Sequence, residues 1–176
     1  MVRCVAVILL LCGLAGCAKP PLPDLIVRAA SSEDLASFRA ELGTRFPAVE
    51  LEPFDTALNE LRLDAMHRNV ATVAARELDM LAAVNGGTVH AAQILGWQAR
   101  RARFVRETAL FADMLAHDLK AQQESATGVS QTVTNRIQNS QDILARLARD
   151  LAETDQRLVA WGAPPAPAAP SVRQIP

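Results

Sequence analysis

Between residues 31 and 162 the apolar side chains of this sequence return every three or four positions, the period that gives an α-helix one apolar face. Leu35, Phe38 and Leu42 form the first such run. Ser31 with Asp34 approximates a capping box at its start, and Gly43 predicts its end. Thr44 to Pro53 then reads as a linker with two prolines. Pro53, a residue favoured at the first helical position, opens a second run through Phe54, Leu58, Leu61 and Ala65, continued by Leu78, Leu81 and Val84. A break is allowed near His67-Arg68-Asn69, with Asn69 or Thr72 as the next cap. Asn85-Gly86-Gly87 is the clearest turn.

Thr88 then caps a long third helix reaching to about Gln123, with Ile94, Trp97, Phe104, Phe111, Leu115 and Leu119 along its apolar row. After a reversal over Ser125 to Ser130, a fourth helix runs to Trp161. Here Ile137, Leu144, Leu151 and Leu158 fall seven apart, and Val133, Ser140, Leu147, Thr154 and Trp161 fill the companion seam. This is a heptad with apolar a positions and a mixed d seam. At ~1.5 Å per residue the helix spans about 48 Å, a match for the third. The expected fold is therefore all-α: a long antiparallel, coiled-coil-like hairpin over Thr88 to Trp161, shorter helices packed along it, and proline-rich flanks. The polar first half of the fourth helix, with Asn135, Gln138, Asn139 and Gln141, is expected to fray or to meet a partner.

The ends of the chain read differently. Arg3 precedes an apolar stretch from Cys4 to Leu14, and Leu14-Ala15-Gly16-Cys17 closes it. That run covers only about half of a ~30 Å hydrocarbon core, whereas it suits the h-region of a signal peptide. An uncleaved anchor and ordinary secretion are the competing readings. The four residues with what precedes them resemble the lipobox of bacterial lipoproteins. The resemblance implies cleavage before Cys17, acyl chains on that cysteine, and a membrane tether made of lipid. Ala18 and Lys19, in place of an Asp after the cysteine, resemble the pattern passed on to the outer membrane. The expected organisation is a signal peptide over 1–16, a lipidated proline-rich tether over 17–30, a helical domain over 31–162 and a disordered proline-rich tail over 163–176.

Composition narrows the chemistry. The chain has 176 residues and a net charge of −1, or −2 once Arg3 leaves with the signal, which excludes the basic excess of nucleic-acid binders. Half of the residues are apolar, enough for a core. Lys19 and Lys120 are the only lysines, so the basic residues are nearly all arginine, which reads as coding bias. Cys4 and Cys12 leave with the signal and lipid blocks Cys17, so no thiol remains for a disulfide, a metal site or catalysis.

Candidate sites are few. His67, His90 and His117 stand in no helical zinc or di-iron spacing. Asp113 with His117, and Asp64 with His67, can meet on one helical face, which reads as ordinary surface pairing. Arg100, Arg101, Arg103 and Arg106 form a local basic patch beside Phe104. They suit anionic head groups or an acidic partner, or else pair with Glu107 and with acids on a neighbouring helix. No Gly-x-Ser-x-Gly, Ser-x-x-Lys or phosphate-cradling loop occurs.

The expected function is thus a non-catalytic structural or adaptor lipoprotein of the cell envelope, anchored by lipid and facing the periplasm, with an envelope protein or another copy as partner. No cofactor, metal or nucleic acid is expected. Two alternatives are a helical bundle binding a small ligand or metal, with a pocket lined by Trp97, Phe104, Phe111 and His117, and a self-assembling coiled-coil spacer.

Overall fold

A computed structural model describes residues 20–124 and 130–164. Cys17, the signal segment, most of the expected reversal and residues 165–176 of the tail lie outside the described residues. The fold is an all-α bundle: a 3-10 turn (Leu22–Asp24), then α1 (Ser32–Arg45), α2 (Ala48–His67), α3 (Val73–Val84), α4 (Val89–Glu124) and α5 (Gln131–Ala160).

Short polar side chains mark the starts of α1, α3, α4 and α5, while Pro47 precedes α2. Ser31 accepts from the Asp34 amide, Thr72 from Ala75, Thr88 from Ala91 and Ser130 from Thr132, each satisfying a donor that the first turn leaves open. Asn69 (φ 63°) and Gly86 (φ 77°) take the left-handed conformation in the two turns that flank α3.

Two helix boundaries depart from expectation. α1 continues through Gly43 to Arg45, and α2 begins at Ala48, so Pro53 lies inside the helix rather than at its head. Proline removes one intrahelical hydrogen bond. Against that loss stands the burial of Leu51 and Phe54, both almost fully enclosed.

The expected proline-rich tether is also shorter than its composition suggests. Leu22, Val27 and Ala29 are buried in the core. The Val27 amide donates to the Gly87 carbonyl (2.8 Å), Gly86 donates back to Val27 (3.0 Å), and Val89 donates to Leu25 (2.8 Å). A segment without helical periodicity thus finds its backbone partners in the α3–α4 turn.

α4 is the axis of the molecule. α2 packs along one side of it and α5 along the other, and α2 and α5 do not pack along each other. Gly96 and Arg103 of α4 meet Ala57 and Glu60 of α2, so these two helices run parallel. Arg101 meets Asp155 and Asp118 meets Arg136, which makes α4 and α5 the expected antiparallel hairpin. Along the heptad of α5, Ile137, Ser140, Leu147, Thr154 and Leu158 are buried against α4, and Val133, Leu144, Leu151 and Trp161 are half-buried. The main core lies between α1, α2, α3 and the first turns of α4.

Candidate functional site

The four arginines of α4 do not present one open cationic face. Arg101 donates to Asp155 of α5 at 2.7 Å. Arg103 grips Glu60 of α2 with two hydrogen bonds, of 2.9 and 2.6 Å, and reaches Glu107 at 3.0 Å. Arg106 lies 3.8 Å from Asp64. Arg100 packs its guanidinium over the rings of Trp97 and Phe104, 4.9 and 5.1 Å from their centroids. Its Nε is buried without a hydrogen-bond partner among the described residues.

The same chemistry recurs between other helices. Arg39 holds Asp55 with two bonds of 2.6 Å, and Arg62 holds Glu77 at 2.6 and 3.0 Å. Such forks need a planar guanidinium, which lysine lacks. The arginine bias therefore has a structural use that composition did not signal. It also sets protonation: Arg62 holds the Glu77 carboxyl below its usual range, and Glu60 together with Glu107 raises the Arg103 guanidinium.

The histidines are scattered. His90 stacks edge-on against Trp161, with ring centroids 6.4 Å apart. Asp64 is taken up by Arg68 at 2.9 Å and by Arg106, not by His67. His117 lies on the surface, its Nδ1 3.6 Å from Asp118, while Trp97 and Phe104 are packed in the interior. The four residues proposed for a ligand pocket therefore do not come together at one cavity. Among the described residues no group of three or more His, Cys, Asp or Glu is placed to hold a metal ion. Trp97 donates its indole N–H to the Pro53 carbonyl (3.1 Å) and meets Trp161 edge-on at 5.5 Å, so both tryptophans pin the base of the hairpin.

A surface feature that sequence reading did not single out lies further along. α2 ends at His67, level with Leu110 of α4, and among the described residues the remaining turns of α4 continue with α5 alone as a two-helix arm. The seam of α4 that α2 covers runs on past this end, where no described element packs on it. Two adjoining clefts follow it, of about 490 and 440 Å³, sharing Leu110. Leu63, Met66, Arg106 and Glu107 contribute to the first; Asp113, Met114, His117, Asp118 and Arg136 line the second. Met66, Leu110 and Met114 are 51%, 57% and 46% exposed, unusual for large apolar side chains that adjoin one another. On the far wall Arg136 of α5 donates from Nε to Asp118 at 3.0 Å and also from Nη2. That guanidinium holds the Asp118 carboxyl below its usual range. The signal was present in the sequence: Leu110, Met114, His117 and Ala121 stand at four-three-four spacing, one step round from the row that meets α5.

Comparison with known proteins finds no matching family model, no matching curated protein and no matching solved structure. No helix among the described residues is long and apolar enough to cross a membrane.

Proposed function

We propose that this chain is a lipid-tethered, non-catalytic adaptor of the bacterial envelope that works by docking a helix against its α4–α5 arm. The single observation behind this reading is the open seam beyond the end of α2. There α4 keeps the apolar spacing that seats a helix elsewhere along its length, but none of the described residues covers Met66, Leu110 and Met114. The resemblance of Leu14-Ala15-Gly16-Cys17 to a lipobox supports the lipid attachment, and Ala18 and Lys19 after it support the outer-membrane placement facing the periplasm. Because the bundle begins at Leu22, only four residues, Ala18 to Pro21, separate it from the acylated cysteine, five steps of backbone in all. At ~3.4 Å per residue that is a leash of about 17 Å, which holds the body close to the lipid surface rather than far above it.

Two experiments test the proposal. Membrane fractionation of the wild type beside Cys17→Ala, with mass analysis, tests the tether: acylation and membrane retention are both expected to disappear in the variant. Retention of the variant in the membrane would overturn it. A photocrosslinking residue at Leu110 or Met114, compared with one at exposed Gln156, tests the surface. Adducts are expected from the first two sites only, and equal labelling at all three would exclude the arm.

A further inference from the structure

We infer that the α1–α2 corner is the surface this protein lays on lipid, so that the base of the bundle sits at the membrane interface and the α4–α5 arm is carried away from it. This inference rests on reading Cys17 as acylated.

The fold fixes where the tether leaves the body. Arg45, in the last turn of α1, donates from Nη2 to the Pro20 carbonyl at 3.3 Å. Pro20, Pro21, Thr44, Arg45 and Phe46 surround one cleft of about 370 Å³. The leash therefore starts at the junction of α1 and α2, and its contour of ~17 Å keeps that junction beside the acylated cysteine.

The same junction shows uncharged surface. Phe46-Pro47-Ala48-Val49 joins the two helices without a charged side chain. Pro47, Ala48 and Val49 are exposed, and so are Pro20 and Pro21. Val49 is 72% exposed, and among the large apolar side chains of the described residues only Val73 is more open. Arg45 is already engaged: its guanidinium lies 5.2 Å from the centroid of the Phe46 ring and 3.8 Å from Glu41. Glu50 is exposed beside Val49. The corner is thus built for apolar contact rather than for holding anionic head groups. Exposed apolar side chains of this kind gain by entering the boundary between head groups and acyl chains.

Position along the bundle sets the orientation. α2 and α4 run parallel, with Ala57 against Gly96. Ala48, nine residues before Ala57, is therefore level with the head of α4. Trp161 at the end of α5 packs at that head too, edge-on to His90. The leash, the corner and the head of α4 thus share one end of the molecule. α4 has 36 residues, ~54 Å of helix, and Leu110 stands about 30 Å along it. The open seam is farther from the corner than the leash is long, and it faces the periplasm clear of the lipid.

A fluorophore on a single introduced cysteine tests this, because lipid blocks Cys17 and the mature chain has no other thiol. Val49→Cys, Val73→Cys and Met114→Cys are each labelled with bimane and placed in vesicles of phosphatidylethanolamine and phosphatidylglycerol, with and without a nitroxide on the lipid head group. Strong quenching is expected from the label at position 49. None is expected at position 114, or at position 73, which is 78% exposed but opens α3 after the far end of α2. Exchanging phosphatidylglycerol for phosphatidylcholine should leave the quenching unchanged, because the contact is apolar. Equal quenching at all three sites would mean that the molecule lies flat and would overturn the inference, as would quenching that vanishes without phosphatidylglycerol. No quenching at position 49, on protein whose mass carries the acyl chains, would overturn it and leave the tether standing. A mass without acyl chains would remove the tether and the inference together.

Discussion

α4 is one unbroken helix with two unlike halves. Its first half lies between α2 and α5, and Val89, Ala92, Gly96, Trp97 and Phe104 are buried there. Among the described residues its second half has α5 alone. Leu110 and Met114 stand about half exposed, and of the second half only Asp118 is buried. Hydrogen bonding inside the helix is the same along its length, so the contrast arises from packing alone. A helix with one partner buries one stripe, and one with two partners buries two. The base of α4 is thus part of the core, and its tip is a projecting surface whose stability comes from a single seam. Local opening should follow that division, with the tip exchanging its amides well before the base.

The largest effect is expected where charge is most enclosed. Glu60 is 4% exposed and Arg103 is its guanidinium partner across the α2–α4 contact. Arg103→Leu leaves a carboxylate in the interior without a counter-charge, at a cost of about 3–5 kcal/mol, measurable by denaturant unfolding. Combining it with Glu60→Leu should recover most of the loss. If the double variant is no better than the single, the pair acts through packing and not charge.

Gly96→Ala follows. A Cβ on Gly96 would stand 2.4 Å from the Ala57 Cα and 2.5 Å from its carbonyl oxygen, so relief requires backbone movement of α2. Overpacking of this kind costs about 1–3 kcal/mol. For a chain of this size that lowers the melting temperature by roughly 3–9 °C. A melting point unchanged by the substitution would mean that α2 is free to lift from α4, and the two halves of α4 would then differ less than their packing indicates.

The contrast was half legible in the sequence. Caps, turns and the antiparallel hairpin followed from residue type and period, because Ser31, Thr72, Thr88 and Ser130 act locally. What escaped was set by partners distant in sequence. Pro53 sits inside α2 because Leu51 and Phe54 are needed in the core, and no local rule reports that need. Residues 22–29 look like a spacer until Gly86 and Gly87 bring their backbone groups alongside. The arginine cluster was legible in part. Pairing with Glu107 and with acids on a neighbouring helix was one of the two readings of Arg100, Arg101, Arg103 and Arg106, and the fold uses it. Which acid an arginine meets across an interface depends on helices distant in sequence. The open seam on the arm escaped because its exposure depends on where α2 stops.

In the arm, acid should act first through Asp118. Arg136 lowers its folded pKa below the ordinary value of about 3.9, so the pair stabilises the arm above that pH and the contribution disappears as pH falls through the folded value. Amide protection over residues 111–124, taken relative to the intrinsic exchange rate at each pH, should therefore fall as the pH is taken below about 4. Asp118→Asn should flatten that response. Glu77, held low by Arg62 in the body, keeps its own acid dependence in the variant and serves as the internal reference. If wild type and variant respond alike to acid, the Asp118–Arg136 pair does not secure the arm.

The smallest stability effect carries the sharpest functional meaning. Leu110→Ser and Met114→Ser remove apolar surface that is already about half in water, so each should change folding stability by no more than about 0.5 kcal/mol. A buried residue at the base behaves otherwise: Leu158→Ala, at 0% exposure, should cost about 2–5 kcal/mol. If the exposed pair serves docking, the two serine variants will keep their melting temperature and still lose adducts from a photocrosslinking residue placed at His117 on the same seam. Loss of both properties together would mean that the arm folds only when covered. Loss of neither would mean that the tip of α4 is an uncovered end and that docking, if it occurs, uses the base.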